Sequence, residues 1–102
     1  QKVLSHIRKN IYKTVDIDSL AAISCLSKDH FIRLFKKEVG TTPLQYINQK
    51  KIEKAQLILI TEDIPVKNIA YLLAYEDHSY FNRLFKKITD VTPQQYRELY
   101  KK

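Results

Sequence analysis

The sequence has little of what cross-links or punctuates a chain: one Cys, one Gly and three Pro in 102 residues. A lone Cys25 excludes an intrachain disulfide and any multi-thiolate metal site, and it suits a reducing compartment. So little Gly and Pro leaves a chain biased to helix. No apolar run is long enough to span a bilayer or to form the core of a signal peptide, so a soluble, cytoplasmic chain with no membrane partner is expected. Met is absent, even from position 1, and the sequence runs straight from Gln1 into Val3, Leu4, Ile7 and Ile11 at helical spacing. It reads as a piece of a longer protein. Acidic residues are also scarce, eleven against eighteen Lys and Arg, for a net charge of +7. That balance favours polyanions, nucleic acid first and an anionic membrane second. Many soluble domains carry a modest excess of charge with no such partner, so the pattern has to decide.

What the chain does have is 44% hydrophobic residues, enough for one compact domain or two very small units sharing a core. It also has an internal repeat. The heptad at 31–37, FIRLFKK, recurs at 81–87 as FNRLFKK, and the register persists from TPLQY at 42–46 to TPQQY at 92–96. Upstream, Leu20-Ala21 pairs with Ile69-Ala70 at an offset of 49 rather than 50, so the second copy carries one extra residue in the intervening turn.

The helical reading follows from periodicity and end signals. A first helix is expected at about 2–13 and a second at about 17–23 behind Asp16 as N-cap. A third, at about 28–38, has Ser27 at its start and Gly40 just past its end. A fourth opens on Pro43 behind Thr42 and runs to about 60, with Ile47, Ile52, Ala55, Leu57 and Leu59 pointing several ways to serve two small cores. The second copy repeats the plan with helices at about 66–73, 78–89 and 93–100. The expected fold is all-α, about seven helices, with two helix-turn-helix units (1–42 and 61–102) joined by a long central helix (43–60). Neither half is expected to be stable alone.

On a wheel of roughly 100° per residue, Phe31, Leu34, Phe35 and Glu38 share one side of the third helix, with Asp29, Ile32, Arg33 and Lys36 on the other. In the second copy Phe81, Leu84, Phe85 and Ile88 face inward, and Ser79, Asn82, Arg83 and Lys86 outward. For a single helix this pattern describes an ordinary solvated surface. A short helix with a small Ala, a turn of about four residues and then the amphipathic helix, occurring twice, instead describes a helix-turn-helix. There the second helix presents its N-terminal outward residues to base edges. Arg one turn in can make a bidentate contact to guanine, worth about 1–3 kcal/mol of discrimination. Lys28, Lys36, Lys37, Lys86 and Lys87 are the phosphate candidates, setting register and affinity without reading sequence.

No nucleophile with its base, paired carboxylates or metal ligands stand at workable spacing. Asp16 with Asp18, Glu62 with Asp63, and Glu76 with Asp77 all fall at helix starts or turns, where they suit the helix dipole. No catalytic residue, metal site or cofactor is expected. A membrane-surface module would show a helix with a broad unmatched apolar face, whereas these faces are matched in pairs. Non-specific architectural DNA binding would suit uniformly basic outward positions, unlike Asp29, Ser79 and Asn82.

With those motifs in hand, the chain resembles the DNA-binding domain of the AraC/XylS family of bacterial transcription regulators over essentially its whole length. The most specific part is Ile69-Ala70 through Tyr75, Ser79-Tyr80-Phe81, Arg83, Phe85-Lys86 and Val91-Thr92-Pro93-Gln94-Gln95-Tyr96-Arg97. The resemblance implies seven helices and monomeric contact with two successive major-groove segments on one face of double-stranded DNA. It also implies a sensing, dimerising or receiver part ahead of the domain, an activator's role and RNA polymerase as a partner. Base-reading positions map onto Asp29, Ile32 and Arg33 and onto His78, Ser79 and Arg83, while Asn82 is a candidate from the wheel alone. Ile32 serves either a thymine methyl or the neighbouring helix. His78 serves either DNA or the start of its own helix. Tyr46 and Tyr96 read as core residues, Cys25 as a small buried hydrophobe, and His6 and His30 as incidental. Ala74 and Asp90 depart from the pattern, each standing where the family usually has a turn Gly, so both bear on local turn geometry.

Overall fold

The structure, a computed structural model, describes residues 2–101. Its helices are α1 (Lys2–Lys9), α2 (Ile17–Ile23), α3 (Lys28–Val39), α4 (Pro43–Thr61), α5 (Val66–Leu72), α6 (His78–Thr89) and α7 (Pro93–Tyr100). Among the described residues there is no strand. Six of these helices, all but α1, match the expected spans to within a residue at each end. The chain divides into two units between Lys50 and Lys51, inside α4.

The first unit closes over Val3 and Ile7 of α1, Leu20 and Ala21 of α2, Phe31 and Phe35 of α3, and Ile47 of α4. Phe31 and Phe35 meet at a tilt with ring centres 5.7 Å apart, and Tyr46 meets Phe35 edge-on at 5.7 Å. The expectation of a helix continuing to residue 13 fails, because α1 stops at Lys9. The Asn10 N–H is shared between the His6 and Ile7 carbonyls at 3.1 and 3.2 Å, and its Nδ2 donates to the His6 carbonyl at 2.8 Å. Asn side chains compete in this way with the helical ladder, and the chain continues in tight turns that still bury Ile11.

The second unit closes over Ile52, Ala55, Ile58 and Leu59 of α4, Ile69 and Ala70 of α5, Leu73, Tyr75, and Phe81 and Phe85 of α6. Its rings repeat the first unit's arrangement, with Phe81 on Phe85 at 6.0 Å and Tyr96 edge-on to Phe85 at 5.6 Å. Tyr46 and Tyr96 are thus ring partners of their cores. Leu57 is not a core residue, contrary to expectation. From Ile52 the buried positions step by three or four residues through Ala55 to Ile58 and Leu59, which leaves Leu57 half exposed at 50%.

The ends of the helices follow local chemistry. Asp16, Ser27 and Asp77 cap α2, α3 and α6 through side-chain oxygens. Thr42 with Gln45 and Thr92 with Gln95 form reciprocal capping boxes ahead of Pro43 and Pro93. The two tight turns are also equivalent. Cys25 N–H bonds to the Ala22 carbonyl and Leu26 N–H to that of Ala21, and Ala74 and Tyr75 bond likewise to Tyr71 and Ala70. This is the paired 5→2 and 6→1 closure that puts a left-handed residue just past a helix end. Cys25 has φ 60° and Ala74 φ 67°. Gly40 and Asp90 stop α3 and α6 in the same conformation, with φ 97° and 72°. Both departures from the family's glycines therefore fall where the backbone is left-handed. Cys25, expected to be buried, is exposed, because it occupies the left-handed corner while Leu26 turns into the core.

Candidate nucleic-acid interface

In each unit, the helix after the tight turn buries two Phe rings and turns a polar face to solvent. On α3, Lys28, Asp29, Arg33, Lys36 and Lys37 are exposed, and so is His30. Ile32 is partly buried against the first core. The inward face is narrower than the wheel allows. Leu34 is 38% exposed and Glu38 is exposed, because both border an open groove of about 400 Å³ that the start of α1 and the end of α2 do not fill. On α6, Ser79, Arg83, Lys86 and Lys87 are exposed and His78 is half-buried. Ile88, expected inward, is 42% exposed at the last turn, beyond the Phe81 and Phe85 rings; Leu84 packs against the core as expected. His78 does not cap its helix, since the Asp77 carboxylate accepts the Ser79 N–H at 2.9 Å.

Asn82 occupies in α6 the position of Ile32 in α3. It is half-buried, and its Oδ1 is shut from solvent with no hydrogen-bond partner. An amide oxygen in that condition costs about 1–3 kcal/mol, which a rotation that brings the amide outward to a donor would recover.

The candidate phosphate-binding cations are exposed. Lys28 sits 3.8 Å from Asp18, but both side chains are more than half exposed, and such a pair is worth about 1 kcal/mol or less. Lys36 with Lys37, and Lys86 with Lys87, occupy the last turns of α3 and α6. There they also face the negative end of the helix dipole.

Three supporting residues escaped the sequence reading. Arg97 of α7 donates through Nε to the Leu59 carbonyl in the last turn of α4 at 3.0 Å, and through Nη2 to the carbonyls of Glu62 at 3.2 Å and Ile64 at 2.6 Å in the segment that follows. Lys101 reaches the Glu62 carbonyl at 2.7 Å and also pairs with Asp63. Lys51 is buried in the second unit and donates to the Leu73 carbonyl at 2.7 Å. The available signal for Lys51 was its spacing, four residues after Ile47 and four before Ala55, on the apolar stripe of α4. No sequence pattern announced Arg97 as a helix cap.

A short helix, a closed left-handed turn and an amphipathic helix with a cationic outer side, present in both units, define a helix-turn-helix DNA-binding domain. Residues 20–99 match the family model described as "Helix-turn-helix domain". The chain belongs to this family, in its AraC/XylS form, whose members are DNA-binding domains of transcription regulators and not enzymes. It is 34% identical over 94 residues to the MmsAB operon regulatory protein of Pseudomonas aeruginosa, covering 92% of this chain and 31% of that protein. The chain therefore spans about a third of the length of that relative. Among solved structures it resembles the C-terminal domain of the two-component response regulator yesN from Fusobacterium nucleatum, with 32% identity, a TM-score of 0.88 and 94% of each chain covered. The fold is shared with the DNA-binding domain of AdpA, solved in complex with a target DNA, at 24% identity and a TM-score of 0.91, covering 96% of this chain and 88% of that one.

Proposed function

We propose that the chain binds double-stranded DNA sequence-specifically, as the output domain of a longer bacterial transcription regulator, with α3 and α6 entering two successive major-groove segments. The observation that carries this reading is the paired outer face: in each unit, an exposed Arg lies one turn in from a capped N-terminus, and two exposed Lys end the helix. Arg33 and Arg83 read guanine. Asp29 suits the cytosine amino group, and Ser79, Asn82 and His78 offer hydrogen bonds to base edges. Ile32 gives its outer edge to a thymine methyl. Lys28, Lys36, Lys37, Lys86 and Lys87 hold the phosphates, in keeping with the net charge of +7. The AdpA domain, similar in fold, binds its target DNA in the solved complex, which supports the same partner here.

The longer protein supplies a sensing, dimerising or receiver part ahead of this domain, acts in the cytoplasm as an activator and contacts RNA polymerase. Support for the first point is the yesN likeness, to the C-terminal domain of a response regulator. No described helix is long and apolar enough to cross a membrane, which accords with the cytoplasmic reading. The test is selection of bound sites from a random duplex pool at fixed salt. A recurring motif with two conserved blocks is expected. Binding that depends on salt but recovers no motif would reduce the domain to an architectural binder.

A further inference from the structure

Lys51 is the one polar or charged side chain buried among the described residues, at 5% exposure. Its ammonium lies 2.7 Å from the Leu73 carbonyl and 5.8 Å from the centre of the Tyr75 ring. Burial pushes its pKa down to about 8. Leu73 is where α5 ends: its N–H returns to the Ile69 carbonyl, Ala74 follows in the left-handed conformation, and the Tyr75 N–H closes on Ala70. The ring of Tyr75 then lies 5.4 Å from Phe81, the first core residue of α6. A single chain of contacts thus runs from α4 through a helix-end carbonyl and a strained turn to the start of the helix that faces DNA. The first unit closes its turn with the same backbone bonds and Leu26 in place of Tyr75, and no cation is buried among its described residues.

We propose that Lys51 is a positioning residue for DNA binding by the second unit: its ammonium ties α4 to the carbonyl at the end of α5 and so fixes the turn from which α6 is presented. Helix-end carbonyls need a partner once water is excluded, and a buried acceptor that loses a charged donor has no replacement. Removing the ammonium frees the turn, and the error reaches α6 before it reaches anything in the first unit. This inference rests on the DNA-binding reading above.

The test is footprinting of the whole chain on its selected duplex, with Arg83→Ala used to mark which protected segment belongs to α6. Lys51→Met is expected to weaken protection of that segment about tenfold, as loss of a charged hydrogen bond implies, and to leave the other segment intact. Lys51→Arg should restore it. Ile52→Val, which trims the same core without touching the ammonium, should leave the ratio of the two segments unchanged; a matching selective loss from Ile52→Val would make Lys51 merely structural and overturn the inference. If circular dichroism shows Lys51→Met unfolded, Lys51→Gln, whose shorter side chain removes the ammonium from the Leu73 carbonyl while staying polar, is read in the same way. Wild-type protection in the folded variant, or equal weakening of both segments, overturns the inference and leaves the DNA-binding reading standing. A wild-type chain that selects no site overturns both.

Discussion

Replacing Ala74 with Gly should stabilise the domain. Ala74 holds φ 67° in a turn closed by two backbone hydrogen bonds, so it cannot relax without breaking them. For an L-residue the left-handed region costs about 1–2 kcal/mol. Gly avoids that cost but brings more unfolded-state freedom, worth about 0.4–1 kcal/mol against folding. The difference leaves Ala74→Gly more stable by about 0.5–1 kcal/mol, which at this size raises Tm by about 4–8 °C per kcal/mol. The converse substitution checks the arithmetic. Gly40 has φ 97°, and a Cβ added there would meet no atom within 4 Å, so Gly40→Ala should lose about the same amount through backbone strain alone. Asp90→Gly, at φ 72°, should gain less than Ala74→Gly, because Asp enters the left-handed region more readily. Urea denaturation followed by circular dichroism would rank the three. A lower midpoint for Ala74→Gly would refute the reasoning and show that its methyl group contributes more by packing than its backbone loses by strain.

Arg33→Ala and Arg83→Ala should each cost about 1–3 kcal/mol in specific binding and relax preference at different base pairs, whereas Lys37→Ala should weaken all sequences alike; equal losses of the Arg variants on specific and random duplexes would make them phosphate contacts. Stability should also depend on alkaline pH. The Lys51 pKa falls from 10.5 to about 8 on folding, so between those values the unfolded chain holds a proton that the folded chain has shed. Stability therefore rises with pH through that window, at no more than about 1.4 kcal/mol per unit. Burial raises the Tyr75 phenol above its ordinary 10, so the folded chain keeps a proton that the unfolded chain loses beyond pH 10, and stability turns down there. Denaturation midpoints of wild type minus Lys51→Met should show the rising limb, and a flat difference would contradict it. Finally, the fragment 62–102 lacks Ile52, Ala55, Ile58 and Leu59 of its core and should be unfolded by circular dichroism; a cooperative melt from that fragment would show that α4 is not needed.

The repeat made most of the fold legible. Two copies of one pattern fix two helix ends for every cap, so Asp16, Ser27, Thr42, Gly40 and the paired Pro residues placed their helices closely. Periodicity failed where an apolar residue lies on the edge of a face: Leu34, Leu57 and Ile88 have core-like chemistry but end exposed, while Ile58 carries the burial that Leu57 does not. The end of α1 was illegible because one Asn side chain on the His6 carbonyl decides it. Positions of the outer face could be named, and they lie on the exposed or half-buried sides of α3 and α6. Their state could not be read: Ile32 partly joins the core, and the buried oxygen of Asn82 depends on packing that no wheel contains. Lys51 and Arg97 were hidden for a related reason, since their partners are backbone carbonyls 22 and up to 38 residues away in sequence.

The central claim is that one chain reads two stretches of duplex with two equivalent helices. Chemical footprinting of the purified domain on a site recovered by selection tests it directly. Two protected major-groove segments on one face, with centres about 10–10.5 base pairs apart, are expected, one lost with Arg33→Ala and the other with Arg83→Ala. A single protected segment, unaffected by one of the two substitutions, would show that only one of the helix-turn-helix units reads DNA.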